Sequence, residues 1–206
     1  MIHVTAVSRR ELFKRLGLAG AAVLTLPELD RVLAFQRDVV KGGSTPAGAL
    51  SPAEAATLAA MCARIIPTDD TGPGAAEAHA SVYIDRALAG WLAPSREAYA
   101  AGLSALDDAA RAGGGKRFVD LTPAEQDAQL ASIEDTPFFG LVRTHTIQGT
   151  FCDPAYGGNA NFVGWDLIGY PGIRLNVTAS DQRMGAPVTP VRRSAYDYAM
   201  FAAGAH

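Results

Sequence analysis

Three helix starts written in one grammar constrain this chain more than any other feature. Ser51-Pro52-Ala53-Glu54 and Thr122-Pro123-Ala124-Glu125 each put a hydroxyl at the N-cap, proline at the first helical position and glutamate two residues later. The hydroxyl can accept from the third helical N–H, and the glutamate can reach back to the cap. Proline supplies a preset φ where its missing N–H costs nothing. Thr136-Pro137 repeats the opening half of this pattern. Behind the first start, Leu58, Met61, Cys62 and Ile65 recur at helical spacing until Pro67. Ala80, Tyr83, Ile84, Ala87, Leu88 and Trp91 form a second stripe. A third helix opens near Pro94-Ser95, carries Tyr99, Leu103, Leu106 and Ala110 inward, and ends at Gly113-Gly114-Gly115. A fourth starts at Thr122 and a fifth at Thr136, with Phe138, Leu141 and Val142 inward. Nothing before residue 150 alternates with period two over a useful length. The expectation is a mainly α protein, a small helical domain of about five helices.

From Phe151 the grammar changes. Gly157, Gly158, Gly164, Gly169 and Gly172 punctuate aromatic residues, and no helical stripe persists. The expectation here is a long, irregular C-terminal segment rich in glycine and aromatics. Such a segment argues for a functional loop. Lying against another protein is one use, because aromatics supply contact area and glycines permit close backbone approach. Cys152, Tyr156, Asn159, Trp165 and Tyr170 are the candidate partner-docking residues within it.

The N-terminus carries an address. Ser8-Arg9-Arg10-Glu11-Leu12-Phe13-Lys14, followed by the apolar run Leu16 to Leu26, reads as a twin-arginine export signal centred on Arg9 and Arg10. Leu12-Phe13 inverts the usual order, and no clean Ala-x-Ala follows Leu26. Lys41 to Gly48 reads as a flexible linker. Residues 1–49 are therefore expected to be signal and tether, and residues 50–206 a helical domain ending in the docking segment. The twin-arginine translocase exports folded cargo, usually because it holds a cofactor, yet nothing downstream of the signal looks able to hold one. That contrast implies an escort for a cofactor-bearing partner, with both in the periplasm.

Composition excludes several alternatives. A formal net charge of −3 over 206 residues gives no basic face for nucleic acid. No run of eighteen apolar residues is present, so no ordinary membrane-spanning helix is expected. The histidines His3, His79, His145 and His206 never pair at i, i+3 or i+4, and the two cysteines lack metal-site spacing. Gly113-Gly114-Gly115-Lys116-Arg117 lacks the frame of a phosphate loop and reads as a helix end. Asp69, Asp70, Glu77 and Asp85 are the one acidic grouping. Asp69-Asp70 precedes a helix, where carboxylates satisfy free N–H groups and the helix dipole. No catalytic, cofactor-binding or metal site is expected. Cys62, on the first inward stripe, should behave as a small hydrophobe. Cys152 sits at a helix-to-loop break and is expected to be free or bonded to a partner subunit.

With these residues in view, the chain resembles the gluconate 2-dehydrogenase subunit 3 family. The resemblance rests on Ile66-Pro67-Thr68-Asp69, Gly72-Pro73-Gly74-Ala75, Tyr83-Ile84-Asp85-Arg86, Phe138-Phe139 and Val142-Arg143. Above all it rests on Tyr156-Gly157-Gly158-Asn159 and Gly164 to Gly172. It implies a non-catalytic small subunit of a periplasmic, inner-membrane-associated sugar or polyol dehydrogenase, similar to the small subunits of FAD-dependent glucose dehydrogenases. A glucose–methanol–choline type flavoprotein would hold FAD, with an iron–sulfur cluster as a further implied group, and a multihaem cytochrome c would take the electrons on haem c. Two other readings compete. One is a free-standing periplasmic scaffold or chaperone; the other is a small exported oxidoreductase using Asp69, Asp85 or His145.

Overall fold

The computed structural model describes residues 48–202 except positions 180, 184, 186 and 187. The expected export signal, Arg9 and Arg10 included, lies outside the described residues. The elements are α1 (Pro52–Ile65), α2 (Ala80–Leu88), α3 (Arg96–Gly114), α4 (Pro123–Ala131), α5 (Pro137–Phe151), α6 (Val163–Leu167) and α7 (Ala199–Ala202). Short 3-10 turns link several of them, and no strand occurs among the described residues. The fold is mainly helical, with an irregular C-terminal region, as expected.

The helix starts form as their residues dictate. Ser51 Oγ accepts from the Glu54 N–H while Glu54 accepts from the Ser51 N–H, and Thr122 and Glu125 repeat the exchange. The Thr136 hydroxyl accepts from the Phe139 N–H. Such a cap contributes about 1 kcal/mol. Helix α3 stops at Gly115, whose φ of 74° is the left-handed cap that ends many helices.

One expectation needs correction. Asp69-Asp70 do not cap α2; its N-cap is His79, in the left-handed region at φ 56°, with no side-chain cap bond. Asp69 instead closes its own turn, accepting at Oδ1 from the Thr71 N–H and hydroxyl, while Asp69 and Gly72 exchange backbone bonds. Sequence proximity to a helix suggested a cap, but the intervening turn-rich loop uses the carboxylate first.

The core lies between α1, α2, α3 and α5. Leu58, Met61, Ile84, Leu103, Phe118 and Val142 are fully enclosed. Helices α2 and α5 form the tightest pair: Gly149 of α5 lies against the Ala80 backbone and the Tyr83 ring, where a methyl group would crowd both. The domain's first residues are tied down as well. Asp85 Oδ1 accepts from the Leu50 N–H at 2.8 Å, and Arg96 Nε donates to the Ala49 carbonyl at 2.9 Å.

One enclosed titratable group bears on the acid stability of the fold. His145 on α5 shares a 2.9 Å hydrogen bond between Nδ1 and the Tyr99 hydroxyl, stacks on the Tyr99 ring and meets Trp91 edge-on. Burial lowers its pKa from 6.5 to about 4. The folded chain therefore resists protonation that the unfolded chain accepts. The stability His145 contributes is full above about pH 6.5 and is lost as pH falls towards 4. The urea midpoint should drop across that window, and His145→Gln should flatten the drop. An unchanged slope would show that other groups set the acid limb.

Candidate partner-docking site

The segment after α5 is organised by one asparagine. Asn159 has no exposed surface and sits at φ 45°, a left-handed conformation that asparagine tolerates better than most residues. Its N–H donates to the Gly149 carbonyl, its Nδ2 to the Cys152 carbonyl, and its Oδ1 accepts from the Gly164 N–H, each at 2.8 Å. The last turn of α5, the 152–158 loop and the start of α6 are thus joined through one residue, by its backbone N–H and its side-chain amide together. The flanking glycines are steric necessities: a β-carbon on Gly158 would land on the Gly149 carbonyl, and one on Gly164 on the Thr150 carbonyl. Asn161 and Phe162 follow, also left-handed, at φ 53° and 63°. Each such residue costs on the order of 1 kcal/mol or more and persists only because its surroundings over-determine it.

Trp165 completes the arrangement from inside. It is 6% exposed, its Nε1 donates to the Phe151 carbonyl at 3.0 Å, and its ring meets Tyr170 edge-on with centroids 5.0 Å apart. Asn159 and Trp165, expected to touch a partner, therefore lie within the fold. Tyr170 is 41% exposed and does present surface. Tyr156 is half-buried, its hydroxyl 2.8 Å from that of Tyr196, in a T-shaped ring pair.

Cys152 is half-buried at the C-cap of α5, and its thiol lies 3.6 Å from the Gly149 carbonyl. Burial pushes its pKa up to about 12, as it does for the enclosed Cys62. Both thiols are free. In the unpartnered chain Cys152 therefore stays protonated and slow to react.

Three contributors escaped the sequence reading: Asp153, Ser194 and Tyr196. The Asp153 carboxylate accepts from the Ala155 N–H, the Ser194 hydroxyl (2.6 Å) and the Ala195 N–H (2.8 Å). It pins the returning C-terminal stretch to the end of α5. The Val191 N–H reaches the Pro171 carbonyl at 2.7 Å, and the Tyr198 hydroxyl donates to the Ile173 carbonyl. Two signals were available. Asp153-Pro154 is a turn initiator, and Ser194 to Asp197 is a capping box with both of its bonds formed.

The alternative catalytic candidates are dispersed among structural duties. Asp69 closes a turn, Asp85 holds the Leu50 N–H and His145 is enclosed in the core. Among the described residues no three His, Cys, Asp or Glu side chains form a group able to hold a metal.

Residues 52–172 match the gluconate 2-dehydrogenase subunit 3 family. The chain belongs to that family. Neither a curated protein nor a solved structure matches it. As a gluconate 2-dehydrogenase subunit 3 protein it is a subunit of a dehydrogenase complex of that type. Membership of a subunit-3 family suggests an accessory place beside the complex's catalytic subunit. The matched stretch runs from the first capping box through the Asn159 junction to Gly172 and ends before the returning segment.

Removing the junction should be costly. Asn159→Ala leaves the Gly164 N–H and the Cys152 carbonyl without their partners, and should destabilise the isolated chain by about 3 kcal/mol. Trp165→Ala should cost a similar amount, about 3 kcal/mol, through cavity and hydrogen-bond loss. Thermal melts of the purified variants check both. A wild-type melting temperature in either would remove that residue from the core and return it to the surface.

Proposed function

We propose that this chain is the non-catalytic small subunit of a periplasmic, inner-membrane-associated FAD-dependent sugar or polyol dehydrogenase. It carries the twin-arginine signal for a catalytic flavoprotein that lacks one, and supports that partner's folding, export and stability. The family match over residues 52–172 carries the reading. The Arg9-Arg10 motif adds the export route, and a glucose dehydrogenase is the nearest fit within the family. FAD, with an iron–sulfur cluster, belongs to the glucose–methanol–choline type partner, and haem c to a multihaem cytochrome c subunit.

This chain's own chemistry supports contact rather than turnover. The Asn159 junction fixes the geometry of the docking segment, and Tyr156 and Tyr170 offer aromatic contact area at its edge. Cys152 would bond to a partner cysteine once docking opens its pocket. Two thiols would yield one disulfide, passing two electrons and two protons to the compartment's thiol oxidant. The link would raise the effective concentration of the subunits for each other rather than create affinity by itself.

Changing Arg9 and Arg10 together to Lys tests the escort role. Dye-linked sugar-oxidising activity and both polypeptides should then stay in the cytoplasm, whereas the wild-type pair reaches the periplasm. On a non-reducing gel the exported pair should run at the summed mass, and Cys152→Ser should abolish that band. A flavoprotein that still reached the periplasm with the double variant would contradict the proposal.

A further inference from the structure

Exposed large hydrophobic residues are not spread evenly over this molecule. Among the described residues all but Val82 fall between Ile168 and Phe201, Val177 being 60% and Met200 65% exposed. Soluble domains seldom concentrate apolar surface in this way without a partner to cover it. Charge is divided along the same line. Residues 48–167 carry fifteen Asp and Glu against seven Lys and Arg. Residues 168–202 reverse the balance, with Arg174, Arg183, Arg192 and Arg193 against Asp181 and Asp197.

This stretch also holds a shallow, open depression of about 410 Å³, lined by Ile173, Arg174, Leu175, Asp181, Val191 and Tyr198, among others. Arg174 pairs through Nη1 with Asp181, while its buried Nε has no hydrogen-bond partner. Arg192 pairs with Asp166 on the surface, where such a pair holds little energy and can be exchanged. Arg193 lies 4.4 Å over the Tyr198 ring. Arginine and tyrosine around exposed aliphatic side chains are the composition of a protein interface centre with an electrostatic rim.

We infer that the described residues between Ile168 and Phe201 form the surface by which this chain selects its own catalytic subunit, and that it fits a partner face of apolar side chains bordered by carboxylates. The inference rests on the subunit reading above and adds where recognition lies and what chemistry it takes. Most of this surface falls beyond the stretch that matches the family, which ends at residue 172. The family match covers the body and the Asn159 junction, so a surface specific to this chain's own partner falls to the extension. It is held to that body by polar pins, Asp153 to Ser194 and Tyr156 to Tyr196, which set its position without covering its apolar side chains.

The test uses the full chain co-expressed with its tagged catalytic subunit. Val177→Ser combined with Phe201→Ser changes only exposed side chains. The melt of the isolated chain should stay at the wild-type temperature, while the fraction retained on the tagged subunit falls about tenfold. Arg183→Glu should weaken retention at low salt and reduce its dependence on ionic strength, as loss of a steering charge requires. Wild-type retention in the Val177/Phe201 variant with an unchanged melt would overturn the inference and leave the subunit reading intact. A wild-type chain that forms no complex would remove both. Binding to phosphatidylglycerol vesicles that the same variants abolish, with the complex unaffected, would assign the surface to a membrane and also overturn it.

Discussion

The segment that follows α5 depends on one buried amide. Asn159 reaches three backbone groups from three different segments, and no other side-chain type of that size supplies an acceptor and a donor while tolerating a left-handed backbone. Without it, the chain beyond α5 would have to satisfy those groups with water and could not close over Trp165. The glycines on either side make the junction possible by letting carbonyls approach where a methyl group would collide. Local strain at Asn161 and Phe162 is the consequence, held in place by packing on both sides.

From that junction outward the structure divides the work. Helices α1, α2, α3 and α5 enclose an apolar core around Leu58, Ile84, Leu103 and Val142, which gives the domain its stability. The titratable residues that could have suggested chemistry are absorbed by this body. His145 is enclosed against Tyr99 and Trp91, Asp85 anchors the domain's first residues, and Asp69 closes a turn. What the body leaves open is an arginine-framed apolar segment, fastened through Asp153 and Tyr156. A subunit of a dehydrogenase complex can use this division between a stable domain and an open surface.

Much of this was legible before any coordinates. The capping boxes at Ser51 and Thr122 located two helices because their signals are local, involving residues three apart whose bonds form as the pattern requires. The inward stripes located the core for the same reason. The segment after Phe151 was legible as a distinct region, but the roles within it were not. A tryptophan among glycines reads equally as surface anchor or core, and only the long-range bond from Trp165 to the Phe151 carbonyl separates the two. Asn159 was visible as part of a motif, while its three partners are set by tertiary closure. Asp153 and Ser194, some forty residues apart, could be joined only by the fold.

Amide hydrogen exchange of the isolated chain and of the assembled dehydrogenase complex tests this division most directly. The amides of Asn159 and Gly164 should be slow in both states, because the junction forms within the chain itself. The amides of Leu175, Val177 and Val188, which carry exposed side chains, should exchange readily in the isolated chain and become protected only in the complex. Fast exchange at Gly164 in the isolated chain, or no added protection beyond Leu175 on assembly, would contradict the account.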